Sequence, residues 1–107
     1  PDVIVYCFCE TSEDLSDYGS VYETAAAYLK DTNKSYEIDS VVTPVSDTCA
    51  WTTYKNTLDG NEYYFYDYVI KSDGDFWYTK FYCLAKDTDK YMPLFDKWAQ
   101  TIKIDNE

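Results

Sequence analysis

Alternation of apolar and polar positions sets the first prediction. Residues 2–10, DVIVYCFCE, read as a strand that puts Val3, Val5, Cys7 and Cys9 on one side and Ile4, Tyr6 and Phe8 on the other. Both sides are apolar, the pattern of a strand covered on two faces. The acidic stretch 11–19 that follows reads as a loop. Over 20–30, SVYETAAAYLK, the period changes: Tyr22, Ala25, Ala26 and Leu29 recur at i, i+3, i+4, i+7, one stripe of a helix that must face a core. Ser20 followed by Glu23 has the spacing of a capping box at its start, and Asn33 is a stop signal. Residues 35–42 alternate weakly and suit an edge strand ended by Pro44.

Three strands in a meander come next, at 49–57, 62–70 and 76–85. Asp59-Gly60 joins the first pair and Asp73-Gly74 the second. Asp-Gly is a strong two-residue hairpin signal, because both turn positions need positive φ. Loops of two residues fix register. Trp51 then faces Tyr68, Thr53 faces Tyr66 and Tyr54 faces Phe65, while Ile70 faces Trp77 and Tyr66 faces Phe81. The same register sets Asp67 opposite Lys80, a favourable cross-strand pair. The tail, 87–104, reads as a second helix, capped by Asp87 or Asp89, with Pro93 in its first turn and a buried stripe of Met92, Phe95, Ala99 and Ile102.

With 107 residues there is room for one domain and one core. Thirteen tyrosines lift the aromatic share to 20%, and they crowd the segment NEYYFYDYVI at 61–70. The net charge is −11, and all nine basic residues are lysines. Nucleic acid is excluded as a partner, because phosphate binding needs clustered cations. Without histidine the commonest general base and the commonest zinc ligand are missing. No apolar run reaches the ~18 residues of a membrane span, so this segment does not insert in a bilayer. A chain that opens on PDVIVY without Met reads as a processed or trimmed fragment.

Candidate chemistry is sparse. Cys49 and Cys83 fall at opposite ends of the meander, about 20 Å apart, and Cys7 and Cys9 about 7 Å apart on one strand. Two disulfides, or one site built from all four thiolates, would break the register, so at most one bridge is expected, from Cys7 or Cys9. A cysteine nucleophile lacks a base. The acid pairs Glu13/Asp14, Asp73/Asp75 and Asp87/Asp89 suit a loop, a turn and a helix start, and none completes a calcium loop. Neither a metal nor a cofactor is expected.

The pair Asp67 and Lys80 is the main binding candidate, among Thr52, Tyr54, Tyr63, Phe65, Tyr78 and Tyr82. Tyrosine rings around a few polar groups suit sugars or peptides. The opposite face, with Trp51, Tyr64, Tyr66, Tyr68, Trp77 and Phe81, reads as core under a helix. Two helical stripes favour a sheet covered on both faces; an exposed tyrosine platform is the alternative.

SVYETAAAYLK, CAWTTYKNTLDGNEYYFYDYVIKSDGDFWYTKFYC and YMPLFDKWAQTIKI, in that order, resemble the PsbP family of photosystem extrinsic subunits, a Ran-release factor and bacterial surface lipoproteins. The resemblance implies an α+β domain, an antiparallel sheet with its three-stranded meander flanked by helices as an α-β-α sandwich. It implies that residues 1–107 are a single such domain lacking an N-terminal portion. The photosystem members' ion-binding and docking positions have no counterpart here. The expectation for function is a non-catalytic binding or protein-assembly domain of an extracellular, cell-surface-attached bacterial lipoprotein, with a protein or glycan partner. A carbohydrate-binding module and a carboxylate-only hydrolase are the alternatives.

Overall fold

A computed structural model of the chain describes residues 3–17, 19 and 21–102. Five antiparallel strands form one sheet in the order β1-β5-β4-β3-β2: β1 (Val3–Glu10), β2 (Val42–Ser46), β3 (Cys49–Leu58), β4 (Asn61–Ser72) and β5 (Asp75–Leu84). Three helices accompany it, α1 (Ser12–Asp17), α2 (Ala25–Ser35) and α3 (Thr88–Gln100), so the class is α+β.

The meander has the register that its turns predict. Asp59 and Gly60 have φ of 50° and 81°, and Asp73 and Gly74 of 51° and 84°. Both residues of each turn are left-handed, as a tight two-residue hairpin requires. Trp51 pairs with Tyr68, Tyr54 with Phe65, Tyr66 with Phe81 and Asp67 with Lys80. The period of two then sorts the side chains into two cores on opposite faces. On one, α2 lays Ala25, Tyr28 and Leu29 over Val42, Ala50, Val69, Phe76 and Tyr78. On the other, α3 lays Tyr91, Phe95 and Ala99 over Tyr64, Tyr66, Phe81 and Cys83.

Several expectations are corrected. Residues 12–17 are helical rather than loop: Thr11 Oγ1 accepts from Asp14 N at 3.1 Å, Asp75 Oδ1 accepts from Ser12 N at 2.7 Å, and buried Leu15 anchors the turn. The next helix starts at Ala25, not Ser20, because Thr24 is its cap and accepts from Ala27 N at 3.1 Å. Ser20, half of the predicted capping box, lies outside the described residues. Asn33 does not stop α2; it is buried inside the helix, which continues to Ser35.

Edge strand β2 begins at Val42 rather than 35 and carries Pro44 within it, beside a register shift between Pro44 and Ser46. An edge tolerates a residue with no N–H to donate. Since β1 is the other edge, it is not covered on both faces: Val5 and Tyr6 are exposed by 55% and 57%, and Cys7 is exposed too. In α3 the buried stripe is Tyr91, Phe95 and Ala99, while Met92 points outward. A 3-10 turn at Ala85–Asp87 delays that helix to Thr88, so Pro93 lies beyond the first turn. Asp87 occupies the cap position without a side-chain bond. The helix ends at Gln100, short of the predicted 104, with Thr101 N donating to the Trp98 carbonyl at 3.0 Å and Ile102 N to the Ala99 carbonyl at 3.1 Å.

Candidate functional site

Asp67 sits at the middle of β4 with no solvent exposure. An isolated carboxylate there would be very costly, so its partners carry the argument. Lys80, directly across on β5, donates to Oδ1 at 3.0 Å and to Oδ2 at 2.9 Å. Tyr54 from β3 donates to Oδ2 at 2.7 Å, and the Tyr78 hydroxyl donates to the same oxygen. Lys80 also donates to the Tyr54 hydroxyl. Its ammonium lies 5.1 Å from the ring centres of Tyr54 and Phe65 and 5.4 Å from that of Tyr78, within cation–π reach. The ammonium is thus held by the Asp67 carboxylate and the Tyr54 hydroxyl, while the Lys80 side chain keeps 24% exposure at the cleft. Burial first, and then the Asp67 charge, push the Tyr54 and Tyr78 hydroxyls well above the ordinary tyrosine range, so both remain donors.

Of the residues predicted from sequence, Asp67, Lys80, Tyr54 and Tyr78 therefore converge. Tyr82 is next to them, stacked on Phe65 at 4.9 Å. Tyr63 flanks the group, with its ring 6.4 Å from Phe65 and 5.9 Å from Tyr82. Thr52, on the same face, turns elsewhere: it bonds Ser40 Oγ at 2.7 Å and donates to the Val41 carbonyl at 2.9 Å.

Above this centre lies a cleft of about 650 Å³. Its floor is the sheet: Tyr6 and Phe8 from β1, Tyr78, Lys80 and Tyr82 from β5, Phe65 from β4, and Tyr54, Asn56 and Leu58 from β3. Its wall is the end of α2 and the turn after it, through Thr32, Tyr36 and Ile38. The rings of the floor run on continuously, Phe8 against Tyr78 at 4.9 Å and Tyr54 against Phe65 at 5.1 Å. Clefts of this size are typical of small-molecule sites.

The wall exists because α2 ends in a Schellman turn. Glu37 N donates to the Lys34 carbonyl at 3.1 Å and Ile38 N to the Asn33 carbonyl at 2.8 Å, with Glu37 at φ 59°. That reversal sets Tyr36 and Ile38 at the cleft and leaves Tyr36 73% exposed. A chain of bonds from Asn33 Nδ2 to Ser40 and on to Thr52 then ties the following segment to the sheet.

The face that carries Asp67 is thus divided. Beneath α2 it is closed, and beyond the end of α2 it is open, so the covered sheet and the tyrosine surface each describe one half. Tyr6, Phe8, Tyr36, Ile38, Asn56 and Leu58 were not singled out by sequence. Tyr6 and Phe8 share a face with Lys80 once β1 is known to pair with β5, where Tyr6 faces Lys80. Nothing in the sequence marks Tyr36, because glutamate occupies the left-handed position at which glycine is the usual signal.

Apart from Lys80, the described residues that line the cleft are uncharged. The carboxylates Glu10 and Asp31 line an adjoining recess of about 410 Å³, where each accepts a bond from a tyrosine, Tyr28 and Tyr22 respectively. Among the described residues, no group of three or more histidines, cysteines or acids is placed to hold a metal. The four cysteines are free thiols, with Cys49 paired to Ile70 and Cys83 to Tyr64 at opposite ends of the meander. No described helix is long and apolar enough to cross a membrane. In comparison with known proteins, the chain matches no family model and no curated sequence.

Proposed function

We propose that this chain is a non-catalytic binding domain whose ligand lies in the aromatic cleft beyond the end of α2. One observation carries the reading: exposed rings line an open cleft, over a charged centre in which Asp67 is fully buried and bonded to Lys80, Tyr54 and Tyr78. Such a centre shapes and stiffens the floor and offers no free base or nucleophile. The order of elements supports a PsbP-like sandwich of one sheet between helices, and with it the role of an extracellular, surface-attached binding or assembly domain. The hydrolase alternative needs two acids facing a substrate across a gap, and the lining of this cleft has none.

The test is an amide NMR screen of the ¹⁵N-labelled domain against a mixed library of small neutral, anionic and cationic compounds and short peptides. Shift changes that cluster on Tyr6, Tyr36, Asn56 and Tyr82 are expected. Hits confined to other surfaces would contradict the assignment of the site.

A further inference from the structure

Resting on that reading of the cleft, we infer that its ligand is an uncharged sugar, held by ring stacking and by hydrogen bonds from tyrosine hydroxyls. Charge comes first. In a chain of net charge −11, anions are repelled at long range, and Lys80, the one cation among the described residues lining the cleft, has its charge balanced by Asp67 at 2.9 Å. A cationic ligand is attracted at long range by the same net charge, but at the cleft it meets an ammonium on the floor and no carboxylate among the described lining residues. The cleft itself therefore favours neither sign.

Hydrogen-bonding capacity then separates a sugar from an oily ligand. The Tyr54 and Tyr78 hydroxyls point down to Asp67 and are used. Those of Tyr6, Tyr36 and Tyr82 make no hydrogen bond among the described residues, and Tyr6 and Tyr36 are more than half exposed. Asn56 adds an amide nitrogen, since among the described residues its one bond is through the oxygen, which accepts from Thr57 N at 2.9 Å. A purely apolar ligand would strip water from these groups and return nothing, which disfavours it. A sugar ring offers an apolar C–H face to the rings and hydroxyls to the rim, so both kinds of group are satisfied at once.

The experiment titrates the labelled domain with maltose, cellobiose and N,N′-diacetylchitobiose, and in parallel with indole and pentalysine. The inference expects at least one disaccharide to shift the cleft resonances saturably, with an affinity that added salt leaves unchanged. Tyr36→Phe and Tyr82→Phe, which keep the ring and remove only the hydroxyl, should each weaken that sugar roughly threefold to tenfold. The same variants should bind indole no more weakly than the parent. Cleft shifts from indole or pentalysine without any from the sugars would overturn the sugar inference and leave the binding site standing. If no probe, including the mixed library, moves the cleft resonances, the binding reading falls as well.

Discussion

Asp67→Ala removes the acceptor that three donors share. In the parent, Lys80, Tyr54 and Tyr78 all point at one fully buried carboxylate. Breaking a buried ion pair by deleting one partner costs about 3–5 kcal/mol, because the other charge is left uncompensated. Two corrections act in opposite directions. Lys80 retains 24% exposure, so its ammonium can swing toward the cleft and recover hydration. The two tyrosine hydroxyls lose their acceptor, and an unsatisfied buried donor costs about 1–3 kcal/mol, less where they bond one another. The net expectation is a loss of about 3 kcal/mol, a large part of the ~5–15 kcal/mol that holds a small domain folded. Guanidinium denaturation at neutral pH measures it, and the melting temperature should fall by about 15 °C. A cycle with Lys80→Ala and the double variant should show coupling of more than about 1 kcal/mol. A loss below about 1 kcal/mol with additive effects is the behaviour of a surface pair, and would refute the buried centre.

Glu37→Gly should stabilise the protein by about 0.5–1 kcal/mol in denaturant melts, since glycine takes the left-handed position closing α2 without strain; destabilisation would contradict the Schellman turn. Burial raises the hydroxyls of Tyr28, Tyr54, Tyr66, Tyr68 and Tyr78 above their unfolded value near 10. The folded state then holds more protons in strong alkali, so stability is fully present below about pH 10 and falls as pH rises further. Phenolate absorbance from these rings should therefore appear together with loss of circular dichroism, and buried tyrosines ionising in a still-folded protein would contradict it. Brief alkylation of the native protein should modify exposed Cys7, whereas Cys83, buried and with its thiol raised by that burial and by Asp87, should react only on unfolding. Intact mass of unfolded, unreduced monomer should show at least two free thiols, and none would mean that the sheet register is wrong.

What could be read from the sequence was whatever local chemistry decides. Two Asp-Gly turns fix three strands, and with them the Asp67–Lys80 contact, because a two-residue loop leaves no freedom of register. What could not be read depends on long-range placement. Helix α1 looked like loop because one leucine and a threonine cap carry it, and its second anchor, Asp75, is 63 positions away. Strand β1 joins β5 across the whole chain with no short connection to announce the pairing, so neither its edge position nor Tyr6 beside Lys80 was predictable. The cleft exists because α2 covers only part of a face whose apolar pattern continues past it. Alternation along a strand reports which side a residue faces, and not how far a helix extends over that side.

The central claim is that one half of the Asp67 face is closed and the other half open. Ring resonances of selectively ¹³C-labelled tyrosine, recorded with a soluble paramagnetic agent, test it directly. Signals from Tyr6 and Tyr36 should broaden strongly while those from Tyr28 and Tyr78 stay sharp. Protection of Tyr36 and Tyr6, or broadening of Tyr78 alongside them, would contradict the divided face and the cleft built on it.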